Sequence, residues 1–440
     1  MTKRSSTSIS PLTLLETRLH ADPSRVVLRP FHLGWQARNA PGGRSLKLVD
    51  DILALGPAEV AEEYAKVLAD FDERHWQTES MFEQRFAEVE RSVDLSGRQF
   101  SDIQKKLIGA YFCHEYTYAA AALMNPSIVP HPDQSGLEGG ACRFVMSLRA
   151  VGEGHISSIA FREGIMHDDG EFALWPQSSC ATSVELEDAT LTDCDDAVTV
   201  TRHPDSNLSN TVIFPITEQQ RGGLEDLRLT RFNHAGAGPQ EDFEWIGTYT
   251  AYSGSSIRSE LLRTRDFRSF ELEPITGEAG RNKGMALFPE PIDGAFAMVG
   301  RQDGKNLYLL KSDRVDRWSD EGKLLMEPRY PWEFIQIGNC GSPIRTDSGW
   351  LLLTHGVGAM RKYALGAALL DLDDPSRVIG RTRHPILTAQ DDDRAGYVPN
   401  VVYTCGAMKV GRTLLIPYGI SDSAVGFATV EVDRLLQLMV

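Results

Sequence analysis

Residues 244–252 read Glu-Trp-Ile-Gly-Thr-Tyr-Thr-Ala-Tyr, an aromatic and β-branched run that alternates as a half-buried strand does. The same pattern recurs at 143–149, 295–301, 350–355 and 413–419: a turn residue, an alternating apolar strand, then small or polar residues. Each copy leads into a second strand, in order HISSIAFRE, SELLRTRDF, NLYLLKSDRV, ALGAALLDL and GFATVEV. The copies are spaced by roughly 50 to 60 residues, with a double-length first gap, a period that suggests propeller blades. The expected fold is an all-β domain over 125–440, a five-bladed β-propeller, with 166–220 an insertion or extended blade. An irregular β-sandwich is the alternative that the pattern leaves open.

Ahead of this domain the period changes. Residues 1–124 read as a mainly helical N-terminal extension, after a short strand at 26–31 and a turn-rich loop. Pro57 suits a first helical turn, and Val60, Tyr64, Val67 and Leu68 share one face. Phe82, Phe86 and Val89 keep that spacing in a second helix. The run from Ser101 to Met124 predicts a third, stopped by Asn125-Pro126.

The 440 residues carry a formal net charge of −16, which argues against a nucleic-acid or anionic-membrane surface. A local cluster of Arg, Lys and His can still hold a small anion. No apolar run approaches the ~20 residues that span a bilayer, and no signal-peptide pattern opens the chain. Six cysteines (113, 142, 180, 194, 340 and 405) are scattered with no C-x-x-C pair, so neither zinc nor a disulfide framework is suggested. A reducing cytoplasm is the simplest reading.

The acidic pair Glu225-Asp226 stands two residues before Arg228, just after the turn-forming pair Gly222-Gly223. By itself this is either a structural Asp226–Arg228 ion pair or an acid tuned for proton transfer. A propeller would bring strand ends together at one mouth. Arg149, Arg301 and His355 all fall at the end of their copies of the motif, which would make that mouth an anion site.

Several segments taken in order resemble glycoside hydrolase family 130, the inverting mannoside phosphorylases and related β-mannosidases. They are NPSIV (125–129), SLRAVGEGHISSI (147–159), GLEDLR (223–228), RNKGMALFPEPIDG (281–294), GSPIRTDSGWLLLTHGV (341–357), ALGAALLDLDDPSRVIGRTRHPIL (364–387), VPNVVYTCGA (398–407) and PYGISDS (417–423). The resemblance implies that Asp226 is the general acid of an E-D-P-R type motif, with Leu227 where proline is usual. It implies phosphate ligands at Arg149, Asn282, Lys283, Arg301, His355 and Tyr363, with Arg361 a second cation in the loop before Tyr363. It implies sugar contacts at Asn125, Ser127 and Asp422. Glu225 and Arg228 flank the acid, and Tyr249 or Tyr252 could stack on a ring face. His155 is expected at the rim. The run Asp391-Asp392-Asp393 reads as a solvated turn, and no metal site is expected.

The resemblance implies an inverting β-mannoside phosphorylase, with β-1,2-linked mannose the favoured glycone. Inorganic phosphate would be co-substrate, and no metal or organic cofactor is called for. A β-1,2-mannosidase on the same fold is the first alternative and would need a second carboxylate as base, for which Glu290 and Glu333 are candidates. A non-catalytic carbohydrate-binding propeller is the second. A homo-oligomer contact and a cap over the funnel are both left open for the helical extension.

Overall fold

The computed structural model describes residues 11–31, 43–178, 180–186, 197–234, 242–319 and 321–440. They fall into two compact units, 24–118 with 178–182, and 1–23 with 119–177 and 183–440. Among the described residues, no helix is long and apolar enough to cross a membrane.

The smaller unit holds four helices: α1 (Arg44–Leu53), α2 (Pro57–Phe71), α3 (Thr78–Ser92) and α4 (Asp102–Tyr111). The apolar spacing read from the sequence forms its core, where Val60 and Tyr64 pack with Phe82, Phe86 and Val89. Ser101 and Gln104 cap α4 reciprocally, which fixes where that helix starts. A Cβ at Gly109 of α4 would lie 1.9 Å from the Phe82 carbonyl oxygen, so only glycine allows this approach to α3.

The third predicted helix is too long. It ends at Tyr111, and Cys113–Thr117 is a strand antiparallel to Val26–Pro30. Ala122–Pro130 is a strand of the larger unit, paired with Ala141–Val151. Alanine favours helices only by a few tenths of a kcal/mol per residue. Pairing with a neighbouring strand and burial on both faces outweigh that here; every residue from Ala122 to Val129 is buried.

The larger unit is built of successive antiparallel modules, and the five motif copies supply one strand to each. The first module joins Ala122–Pro130, Ala141–Val151 and Ser157–His167. The second joins Gly223–Asn233, Phe243–Tyr252, Ile257–Thr264 and Ser269–Pro274. The third runs from Ala286–Leu287 through Phe296–Gly300 and Leu307–Ser312 to Lys323–Met326. The fourth contains Gln336–Asn339, Gly349–Val357, Tyr363–Leu370 and Val378–Arg381. The fifth contains Val402–Tyr403, Thr413–Ile420 and Ala424–Glu431, and its outer strand is Thr13–His20, from the other end of the chain. In the long first gap, Val198–Thr201 adds to the outer edge of the second module and Thr211–Ile213 pairs with Ser157–His167. Residues 187–196, which include Cys194, lie outside the described residues.

Each module presents an apolar face to the next. Phe161 of the first packs with Leu229 and Trp245 of the second. Phe232, Ile246 and Leu261 of the second pack with Met298, Leu310 and Trp318. Val299 and Leu309 meet Trp350 and Leu352, and Leu351, Leu353 and Leu365 meet Leu414 and Ile416. The fifth module touches the first through the Phe172–Phe427 ring contact at 4.7 Å and the Cys405 N–H donating to Pro126 O at 2.8 Å. Full burial of a side chain such as Phe232 stabilises by about 1.5–3 kcal/mol, so these faces dominate the unit's cohesion.

Candidate active site

The first strands of the first two modules are each interrupted by a bulge. The register slips between Met124 and Ser127, and again between Glu225 and Arg228. Asn125 and Asp226 sit in these bulges with φ of 48° and 57°. Asn and Asp tolerate the left-handed region better than other side chains, and a bulge re-aims the residue it carries. Here the two are aimed at each other, and Asn125 Nδ2 donates to Asp226 Oδ1 at 2.6 Å. Leu227 is buried in the core, beside Gly247, where a Cβ would come within 2.7 Å of Leu227 Cδ1. The residue that stands where proline was expected is therefore absorbed by packing.

The ion pair at this bulge is not the one the sequence suggests. Arg149 Nη2 donates to Glu225 Oε1 at 2.8 Å and Nη1 to Asp226 Oδ1 at 3.5 Å, while its Nε is bonded to Ser157 Oγ. Arg228 instead donates Nη1 to the Asp226 backbone carbonyl at 3.0 Å and Nη2 to the Tyr403 hydroxyl. Its Nε is buried without a partner.

These groups line one cavity of about 560 Å³, together with Asn282, Lys283, Arg301, His355, Arg361, Tyr363 and Asp422. Among the described residues, neither the Lys283 ammonium nor the Arg301 guanidinium makes a hydrogen bond or ion pair. Gly284, at φ 80°, brings the backbone close to both the Arg228 and Arg301 guanidinium groups. Cations left unneutralised in a recess call for an anion.

Burial pushes the Asp226 carboxyl up, but Arg149, Arg228, the Asn125 amide and Lys283 together hold it below the usual range. Glu225 is displaced upward by burial, with the Asp226 charge adding to it against Arg149. Asp422 is pushed up to about 6 by burial and Asp226, despite Arg149 and Arg361. Burial, then Arg301 and Arg228, hold the His355 imidazole well below its ordinary value. It stacks on Tyr363 at 5.8 Å and meets the edge of Tyr403 at 4.9 Å.

Some expected site residues lie elsewhere. Ser127 is fully buried, its Oγ accepting from the Leu229 N–H at 3.0 Å, so it braces the neighbouring module instead of facing the cavity. Tyr249 faces the core, and its hydroxyl donates to Glu260 Oε2 at 2.5 Å. Tyr252 donates to the Gly254 carbonyl and is not in the lining. His155, at a hairpin tip, packs near Tyr397 at 6.0 Å, and Asp393 pairs with Arg18. The two base candidates are also displaced. Glu333 is buried against Arg381 at 2.7 Å, and Glu290 pairs with Arg345.

The structure adds Tyr403 to the lining and Asn339 behind it. Asn339 Nδ2 donates to the carbonyls of Gly284 (2.8 Å) and Val299 (2.9 Å), and the Asn339 backbone carbonyl lies 3.1 Å from His355 Nδ1. The buried Asn339 amide thus ties together the segments that carry Lys283 and Arg301, and the backbone of the same residue holds His355. A lone Asn in a glycine-rich stretch gives no such signal in sequence. Asn339→Ala would strip two buried carbonyls of their donor, with an expected loss of about 2–4 kcal/mol in chemical denaturation. A loss below about 1 kcal/mol would mean that water replaces the amide.

A family model described as beta-1,4-mannooligosaccharide phosphorylase matches residues 183–440. The 1,2-beta-oligomannan phosphorylase of Thermoanaerobacter sp. (strain X514) is 32% identical over 232 residues, which are 52% of this chain and 75% of that protein. A beta-1,2-mannobiose phosphorylase of the same organism is 34% identical over 221 residues, 49% of this chain and 70% of its own length. Among solved structures, a glycosyl hydrolase from Bacteroides ovatus is similar in fold, with a TM-score of 0.51 and 20% identity over 73% of this chain and 87% of its own.

Proposed function

We propose that this chain, which belongs to glycoside hydrolase family 130, phosphorolyses β-mannosides with inversion, to α-mannose 1-phosphate and a shortened acceptor. The observation that carries the reading is the meeting of a half-buried carboxyl group, Asp226, with the unneutralised cations Lys283 and Arg301 in the same cavity. Phosphate held there would attack C1 of the terminal mannose, and Asp226 would supply the proton that the leaving alkoxide needs. Asn125 and Asp422 would hold the hydroxyls of that mannose. The relatives named above favour a β-1,2 linkage. Successive face-to-face packing of the modules, with the fifth against the first, supports a five-bladed propeller as the scaffold. Five free thiols among the described residues suit a reducing compartment.

Burial of Glu333 against Arg381 and the pairing of Glu290 with Arg345 take both base candidates of the hydrolytic alternative out of the cavity. Incubation with β-1,2-mannobiose with and without inorganic phosphate is the test. Mannose 1-phosphate should form only with phosphate present. Phosphate-independent release of free mannose alone would overturn the assignment.

A further inference from the structure

We infer that the cavity takes its anion as an oxyanion that still carries a proton, hydrogen phosphate, whose P–OH is donated to His355 Nε2, and that it thereby excludes sulfate. The inference rests on the phosphate reading above and specifies the form in which phosphate is bound.

A carbonyl oxygen can only accept a hydrogen bond. The 3.1 Å contact between His355 Nδ1 and the Asn339 carbonyl therefore places the hydrogen on Nδ1. Nε2 of the neutral ring then holds a lone pair, and it makes no hydrogen bond to any described residue. The ring cannot swing to exchange these roles. Tyr363 stacks on it, Tyr403 meets it edge-on, and a Cβ at Gly338 would lie only 2.2 Å from His355 Cε1.

Nor do its neighbours favour a second proton. Arg228 and Arg301 stand beside the buried imidazole, Cys340 Sγ lies 3.7 Å from Nδ1, and Asp226 acts on the ring only through its charge, with no bond to it. Several other groups of the cavity lining are donors. Arg301 and Lys283 are unpaired, and Arg228 has a spare Nε–H. Tyr403 accepts from Arg228 and so has its own proton to give. An imidazole acceptor set beside these donors complements hydrogen phosphate, which offers three acceptor oxygens and one O–H. Sulfate has the same charge, shape and size but no proton at neutral pH, and would set an oxygen lone pair against that of Nε2.

The test is competition at pH 7.5 with the full-length protein. Sulfate should inhibit phosphorolysis with an inhibition constant about 10- to 100-fold above the KM for phosphate, the penalty for one unmet buried hydrogen bond. Hydrogen arsenate, which carries the proton, should replace phosphate as co-substrate and release free mannose. In His355→Phe, phosphate should weaken while sulfate does not, so that the ratio falls toward one; a role confined to packing would weaken both equally. Wild-type phosphorolysis with a sulfate constant within threefold of the phosphate KM would overturn this inference alone. Absence of any phosphate-dependent turnover would overturn the phosphorylase reading with it.

Discussion

Asp226→Asn is expected to lower kcat on β-1,2-mannobiose by about 10²–10⁴-fold, the range for loss of a general acid. The amide keeps the shape and the Asn125 contact, so mannoside binding should survive. The decisive comparison uses a mannoside with a nitrophenolate leaving group, which departs without protonation. That substrate should regain most of the lost rate in the variant. A variant that turns over mannobiose within tenfold of wild type would remove Asp226 from the chemistry.

The electrostatics give this acid a condition. In the empty cavity Asp226 lies below the ordinary carboxylate range, because Arg149, Arg228 and Lys283 outweigh its burial. An acid catalyst must be protonated, so something has to cancel those cations. A phosphate dianion does so, and its own charge raises Asp226 further. Asp226 should therefore titrate at higher pH with phosphate bound than without. The alkaline limb of activity, where this acid loses its proton, should then lie above the pH that the empty cavity alone would set.

Arg301→Met is expected to raise the KM for phosphate by about 10- to 100-fold, the worth of one charge-assisted contact at roughly 1.5–3 kcal/mol, with the mannoside KM little changed. It should also make the empty protein more stable. Arg301 has no protein anion and stands beside Arg228, so removing it relieves a repulsion that exists only to serve a ligand. Thermal melts with and without phosphate separate the two effects. Wild type should be stabilised by about 2.7 kcal/mol at a phosphate concentration of a hundred times Kd. The variant should start higher and gain far less. A variant that melts lower in the absence of phosphate and binds it normally would show that Arg301 is structural.

Much of this was legible in the sequence because strands declare themselves locally. The five apolar runs each became a strand of a separate module, buried almost continuously and not on alternate residues, since β-branched and aromatic runs bounded by turns declare a strand locally. The overlong third helix failed for the complementary reason: the AAALM run has helical propensity, but its hydrogen bonds go to Ala141–Val151. The strand pattern also shows that a side chain leaves the solvent without showing which surface receives it. Ser127 and Tyr249 thus read like cavity residues and proved to brace modules. The Asp226 partner was hidden by the bulge. Residues two apart in a regular strand share a face, which made Arg228 the natural partner; the slip after Glu225 turned it to Tyr403 and left Arg149, 77 residues away, to pair with the acid.

The strand Thr13–His20 has a consequence for how the protein reaches its native state. Arg18 Nη1 donates to the Tyr418 hydroxyl at 3.0 Å across 400 residues of chain, in space left by Gly426, where a Cβ would fall 1.9 Å from that nitrogen. Contacts so distant in sequence close last and slowly. Until this one forms, Ala424–Glu431 (AVGFATVE) presents a bare, apolar edge with unpaired backbone groups, a template for another chain. The first strand thus serves as the sheet's late-arriving guard against aggregation. Fusions or trims near residue 13 should be judged by soluble yield before activity.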